Sequence, residues 1–327
     1  MFKKLASYLL INRPGITRYT IEEAETLHSR PEDPWFNDSF YFTGHSEKGE
    51  WFVTRLGFRN DEPSEVWLDC TIPGEGRLSL EKPCQGGEGI SCGPLSYRCI
   101  EPGNRWEILY RGPMKSKGKE KEVDLQLEFS GTMPVFDFKK HADVWLMAEA
   151  LAKETWSREW FSKLKDLSQI HYEQGGTLTG QVTIEGKTHH LRLRAMRDHS
   201  YGTRKWGAMQ QHLWLAALME DGSFLNVALV RYDFLRHLIS GFQASGKRFN
   251  PVRGASSLDD VPSGDPIPRE LEVHVKLRDG REGPLSIRVK DHVHYPMGAY
   301  DIYEGIASFT FDGIKGVGIS EFGYISG

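Results

Sequence analysis

The sequence predicts a mainly β chain built as two antiparallel β-barrels or sandwiches joined by a helix. Three observations carry this reading. Segments rich in aromatic and β-branched residues, bounded by Gly, Pro, Asn or Asp, recur through both halves. One stretch free of Pro and Gly, Ala142–Leu167, interrupts them. Aromatic residues make up 12% of the 327 positions, which suits large sheet cores or a cavity for an apolar ligand.

Residues 1–34 form an N-terminal segment that closes on Pro31-Glu32-Asp33-Pro34, an extended entry. A first β unit, residues 35–141, then holds Ser39–Thr43, Glu50–Phe58, Glu65–Thr71, Arg105–Tyr110 and Glu122–Ser130. In the last of these, Val123, Leu125, Leu127 and Phe129 alternate with polar residues, the period of a half-buried strand. Lys115–Lys121 reads as a charged hairpin tip. The connecting helix spans residues 142–168. Its Ala148, Ala152, Trp156, Trp160 and Leu164 recur every four residues, with a break near Thr155–Ser157.

The second unit, residues 169–327, carries nine strand patterns: Thr177–Glu185, His190–His199, His212–Met219, Ser223–Tyr232, His237–Ala244, Glu270–Leu277, Leu285–Asp291, Ile302–Phe311 and Gly316–Ile325. Asp221-Gly222 and Asp279-Gly280 mark hairpin turns, and Gly246–Pro268 reads as the longest loop. Consecutive antiparallel strands with short connections point to an up-and-down barrel.

Charge and motifs exclude several functions. The 41 Lys+Arg against 45 Asp+Glu give a net charge of −4, with no basic footprint for nucleic acid. No apolar run approaches the ~18–20 residues that span a bilayer. Met1-Phe2-Lys3-Lys4 and Leu5–Ile11 imitate a secretory leader, but the run is short and ends at Asn12-Arg13-Pro14-Gly15 without a cleavage site. The chain is therefore expected in the cytoplasm, with contact between the N-terminus and a membrane surface as the alternative. Cys70, Cys84, Cys92 and Cys99 lack C-x-x-C spacing and are expected as free thiols. G-x-S-x-G, Walker A, H-E-x-x-H and dinucleotide-binding fingerprints are absent, so no cofactor is expected. No metal is expected either. His189 and His190 take opposite faces of a strand, and His292 and His294 share a face without a third ligand.

The most unusual stretch is Arg197-Asp198-His199-Ser200-Tyr201-Gly202-Thr203-Arg204-Lys205-Trp206-Gly207. Alternation places Leu191, Leu193, Ala195, Arg197 and His199 on one face and Asp198 on the other. With Leu191 and Leu193 turned into the second barrel, Arg197 and His199 look into its cavity. Two readings fit. In the first, His199 moves protons near neutral pH, with Asp198, His212 and Glu173 as further acid–base candidates. In the second, Arg197 and Arg204 pair with Asp198, Glu173 or Glu321 in a buried ion network. Arg197, Tyr201, Arg204, Trp206, Trp214 and Glu321 accordingly form either a ligand-binding set or a structural one. His212 and Trp214 share a face and are placed to meet the Arg197 stretch across a strand pair.

The Arg197–Trp206 stretch resembles a signature of tandem lipocalin-like proteins, themselves similar to the carotenoid 1,2-hydratase and AttH-like families. Further landmarks are Ser39-Phe40-Tyr41-Phe42-x-Gly44, Glu65-Val66-Trp67-Leu68, Arg105-Trp106-x-Ile108, Pro134-x-Phe136-Asp137-Phe138, Tyr172-Glu173-Gln174-x-Gly176 and Glu321-Phe322-Gly323-Tyr324. Taken together they also resemble the non-kinase N-terminal region of animal phosphoenolpyruvate synthase-like or rifampicin phosphotransferase-like proteins. The resemblance implies two calycin-type units and an apolar small-molecule ligand. It implies hydratase-, isomerase- or cyclase-like acid–base chemistry, or else a non-catalytic carrier or accessory module. Phosphotransfer by this chain alone is not implied, because the nucleotide-binding and phosphohistidine modules are missing. His212-x-Trp214 is similar to part of the hydratase pattern.

Overall fold

The computed structural model describes residues 2–11, 19–60, 63–80, 88–166, 169–262 and 267–325. Strand accounts for 60% of the chain and helix for 14%, as a mainly β chain requires. The chain divides into two compact units. A sheet unit comprises residues 18–136 and 169–204, and a barrel unit comprises residues 1–17, 137–168 and 205–327. Helix α1 (Phe2–Ile11) belongs to the barrel unit and α2 (Ile21–Ala24) to the sheet unit, so the N-terminal segment is shared between them.

The sheet unit contains β1 (Phe36–His45), β2 (Trp51–Arg59), β3 (Glu65–Ile72), β4 (Gly76–Ser79), β5 (Ser91–Cys92), β6 (Leu95–Glu101), β7 (Arg105–Ser116) and β8 (Lys119–Gly131). After the short β9 (Phe136–Asp137), β10 (Ile170–Ile184) and β11 (Lys187–Thr203) complete it. The order is β4-β3-β2-β1-β11-β10-β8-β7-β6-β5, and a single rung, Ser79 opposite Lys115, links β4 back to β7. The expected tip between β7 and β8 is a two-residue turn, with Lys117 and Gly118 both at positive φ.

The expected unit boundary at residue 169 is displaced. β11 pairs with β1 from Phe36↔Thr203 to His45↔Arg194, and β10 pairs with β8 from Gly176↔Gly131 to Ile184↔Val123. The 170–203 hairpin therefore completes the first sheet instead of opening the second barrel. Without it, β1 and β8 would each present an unpaired edge, which folded sheets avoid. Its inner face joins Leu191, Leu193 and Ala195 to a core with Phe40, Phe42, Phe52, Trp106, Leu125 and Leu127.

In the barrel unit, α3 (Phe138–His141), α4 (Val144–Lys153) and α5 (Arg158–Asp166) replace one continuous helix. The break at residues 154–157 lies at the expected place. Asp143 caps α4, its Oδ1 accepting from the Leu146 amide at 2.9 Å, and Oδ2 holds Arg253 and Arg278 at 2.9 and 3.0 Å. The closed barrel then runs in sequence order: β12 (Met209–Met219), β13 (Phe224–Tyr232), β14 (Leu238–Ser245), β15 (Arg248–Ala255), β16 (Glu270–Leu277), β17 (Glu282–Pro296), β18 (Tyr300–Phe311) and β19 (Ile314–Ile325).

Strand β15 lies inside the segment expected as the longest loop. Pro251 and Gly254 mask its pattern: it pairs with β14 up to Pro251, bulges after Val252, and pairs with β16 beyond. Leu213, Leu215, Val227, Val275, Leu285 and Phe322 fill the inner face as one apolar cluster.

Cys70 and Cys99 are free, whereas Cys92 is disulfide-bonded and Cys84 lies outside the described residues. The expectation of free thiols therefore does not hold at Cys92, because cysteine spacing does not tell which sulfurs meet in the fold. Among the described residues no helix is long and apolar enough to cross a membrane. On α1, Phe2, Leu5 and Leu9 are exposed beside Lys3 and Lys4.

Two measurements check this architecture. A Cβ on Gly318 would sit 1.9 Å from the Ala216 carbonyl oxygen, whereas one on Gly283 meets nothing within 4 Å. Gly318→Ala should destabilise by about 1–3 kcal/mol, and Gly283→Ala should leave calorimetric melting nearly unchanged. Burial, with Asp69 and Glu50 nearby, pushes the Cys70 thiol up to about 12. Iodoacetamide at pH 8 should therefore leave Cys70 intact in native protein and modify it only after unfolding.

Candidate functional site

Polar clusters arise in both units. In the sheet unit, β11 runs apolar on its inner face through Ala195 and then turns polar at Arg197 and His199. Arg197 is 2% exposed. Its Nη1 donates to Glu25 Oε1 at 2.5 Å and its Nε to Gln174 Oε1 at 2.8 Å. The guanidinium lies over the rings of Trp106, Phe129 and Tyr172 at 5.7–5.8 Å. Glu25 Oε2 in turn accepts from Trp106 Nε1 at 2.8 Å and the Gly103 amide at 2.9 Å. Glu25 is placed by the α2 capping box, in which Thr20 accepts from the Glu23 amide and Glu23 from the Thr20 amide.

One turn of alternation further, His199 bonds Asp38 Oδ1 through Nε2 at 2.7 Å and Tyr172 Oη through Nδ1 at 2.6 Å. Tyr172 donates its own proton to the Ala24 carbonyl at 3.0 Å, so its oxygen accepts from Nδ1–H. With Nε2–H facing the carboxylate, the geometry is that of an imidazolium–carboxylate pair. Asp38 Oδ2 also accepts from the His28 amide at 2.7 Å, and the His28 ring stacks on Tyr201 at 3.6 Å. Burial acts to raise the Asp38 carboxyl. The His199 charge and the bonds from His199 and His28 outweigh it and hold the group below the usual carboxylate range. Burial, then the Glu25 charge, drives the Tyr172 phenol well above its ordinary value.

The other face of the same strands holds different partners. Asp198 bonds His171, whose Nε2 lies 3.5 Å from Glu173 Oε1. Arg204 Nη2 donates to Gln169 Oε1 and Ser200 Oγ, each at 3.1 Å. The expected pairing of Arg197 with Asp198, Glu173 or Glu321 is thus replaced by Glu25, 172 residues away in sequence. Arg197 and His199 face the sheet-unit core rather than the second barrel's lumen, because their hairpin belongs to that sheet.

In the barrel unit, Leu213 and Leu215 point inward, so His212 and Trp214 take the outer face. They share a face as expected, but His212 meets other residues. Its Nδ1 bonds Tyr300 Oη at 2.7 Å and its Nε2 bonds Glu321 Oε1 at 2.6 Å. Gly323 makes the room: a Cβ there would lie 2.2 Å from His212 Cε1 and 2.6 Å from the Tyr300 ring. Trp206 packs on Tyr300 with ring centroids 5.8 Å apart, and Trp214 stands opposite Glu321, which stands opposite Glu304. A separate cavity of about 430 Å³ near the α4–α5 break has charged walls, including Lys153, Glu154, Lys163, Asp233 and Arg236.

Sequence reasoning missed Glu25, Asp38, His28, His171 and Tyr300. Two signals were available: Thr20-x-x-Glu23 is a capping box, and an acid such as Asp38 among strand residues is uncommon.

The family model described as a domain of unknown function, DUF7064, matches residues 22–324. The chain belongs to this family. It is similar to the structure of a Nitrosomonas europaea protein provisionally named AttH, with a TM-score of 0.60 and 14% identity, covering 95% of this chain and 98% of that one. CghA is similar at a TM-score of 0.52, and CghA with Sch210972 at 0.50, each with 8% identity and covering 90% of this chain and 89% of that one. At these identities the likeness is one of fold, and it agrees with the lipocalin-like expectation. No curated protein matches the chain.

Two outcomes follow for the DUF7064 chain. Arg197→Ala should cost about 3–5 kcal/mol by leaving Glu25 buried and uncompensated, and His199→Gln should also melt early by stranding Asp38. Arg204→Ala, at a half-buried site, should melt closer to wild type. Because the Asp38 carboxyl is depressed in the fold, its contribution is complete above its unfolded pKa of ~3.9 and is lost as pH falls through the folded value. Asp38→Asn should accordingly flatten the acid limb of stability below about pH 4 in denaturant titrations.

Proposed function

We propose that this protein binds an apolar small molecule and performs acid–base isomerase, hydratase or cyclase chemistry on it, with Tyr300, His212 and Glu321 as the proton-handling group. The observation that carries this reading is the hydrogen-bond chain Tyr300 Oη–His212–Glu321. The Glu321 carboxylate accepts from Nε2–H, which leaves the Nδ1 lone pair directed at the Tyr300 hydroxyl. Tyr300 Oη can then take a proton from a ligand while passing its own to Nδ1, and Glu321 stabilises the imidazolium. The reverse sequence delivers a proton. Trp206 and Trp214 supply apolar surface on the same unit. CghA, which shares the fold, has been solved with Sch210972, so a small-molecule ligand is compatible with a protein of this fold. The proposed site lies on the barrel's outer wall, because the inner wall is packed with apolar side chains.

A second reading, a non-catalytic carrier or accessory module, is favoured by the other cluster. There Arg197 is paired with Glu25 and His199 with Asp38. Such pairing serves architecture rather than turnover.

Native mass spectrometry of protein purified from its source, followed by incubation in D2O, separates the two readings. The catalytic reading expects a co-purifying apolar compound that gains deuterium with wild type and not with Tyr300→Phe. A retained compound that takes up no deuterium supports carriage, and recovery of no compound contradicts both readings.

A further inference from the structure

We propose that His171, Glu173 and Asp198 bind one divalent transition-metal cation of the zinc class. His171 and Glu173 lie two residues apart on β10 and so share a face, and Asp198 on β11 stands directly opposite Glu173. This face is opposite to the one bearing Tyr172 and His199. One donor atom from each residue lies within 4.8 Å of the others. Metal bonds of ~2.0–2.2 Å in tetrahedral array place ligand atoms roughly 3.4 Å apart, and His171 Nε2 to Glu173 Oε1 is 3.5 Å.

Electrostatics point the same way independently. The Glu173 side chain is 0% exposed and that of Asp198 13%. Two carboxylates directly opposite each other on neighbouring strands repel, and burial sharpens the repulsion. A protonated His171 offers one positive charge. A divalent cation offers two and uses the imidazole as a neutral ligand.

The inner group His28, Asp38 and His199 also brings three donors together. There both ring nitrogens of His199 are committed, one to Asp38 and one to Tyr172, inside the core. In the outer group the direct bond from His171 to Asp198 is the contact that a cation would replace. His171, in contrast, is 35% exposed and gives the outer group a route to solvent. One imidazole with two carboxylates is a borderline ligand set that selects zinc-like ions over calcium or magnesium. Three protein ligands leave a coordination position for water or for a ligand oxygen.

The test uses the full chain, stripped with chelator and titrated with ZnCl2 alone by calorimetry. The expected result is one equivalent bound and a raised melting temperature. Glu173→Gln and Asp198→Asn, with unchanged circular dichroism, should each weaken binding by at least about tenfold. Failure of wild type to bind one equivalent overturns the proposal, as does wild-type affinity in both variants. Should the variants not fold, the visible spectrum of the Co2+-loaded wild type decides. Bands of a nitrogen–oxygen ligand set support the site, whereas thiolate charge-transfer bands or no bands at all overturn it.

Discussion

The sheet unit depends on the burial of one guanidinium. Taking a charge out of water costs several kcal/mol even after relaxation, so Arg197 is tolerable only because Glu25 accompanies it into the core. The pair also has mechanical reach. Through Glu25 it holds the end of α2, the Gly103 amide and the Trp106 indole. Through Gln174 it reaches β10 and the carbonyls of Gly103 and Met133. Segments far apart in sequence are thereby fixed around one side chain. The neighbouring His199–Asp38 pair extends the same solution and draws in His28 and Tyr172.

The two polar clusters differ in ways that suit different tasks. The Arg197 group sits on an inner face, among aromatic rings, where opposite charges compensate one another. The His212 group sits on an outer barrel face, above a glycine whose missing Cβ gives the imidazole its place. Its members are a phenol, an imidazole and a carboxylate joined in line by hydrogen bonds. The same strand alternation produces both, because a β-strand offers each polar residue either the core or the outside and nothing between.

Local pattern made much of this readable. The alternation of Val123–Phe129 and of Leu191–His199 located two strands and their inner faces, and the Asp-Gly pairs located turns. The four-residue recurrence located the helical region and its break. Partnership across the sheet was not readable. Nothing in residues 170–203 says that they fill the gap between β1 and β8, because that choice is made by edges 45–61 residues away on β8 and 149–167 residues away on β1. Glu25 and Asp38 were hidden for the same reason, and Tyr300 lies 88 residues from His212. Strand β15 was hidden by chemistry instead, since Pro251 and Gly254 are loop residues until a bulge accommodates them. The disulfide at Cys92 is not readable because pairing depends on which sulfurs the fold brings together, not on their spacing in sequence.

The central claim is that the Glu25–Arg197 pair is energetically coupled and holds the sheet unit together. A double-mutant cycle of Glu25→Gln and Arg197→Met, read by urea unfolding of the full chain, tests it most directly. Each single variant should lose more than the double variant loses per site, with a coupling energy of about 1.5–3 kcal/mol. Additivity within about 0.5 kcal/mol would contradict it, because residues that share a buried ion pair cannot act independently.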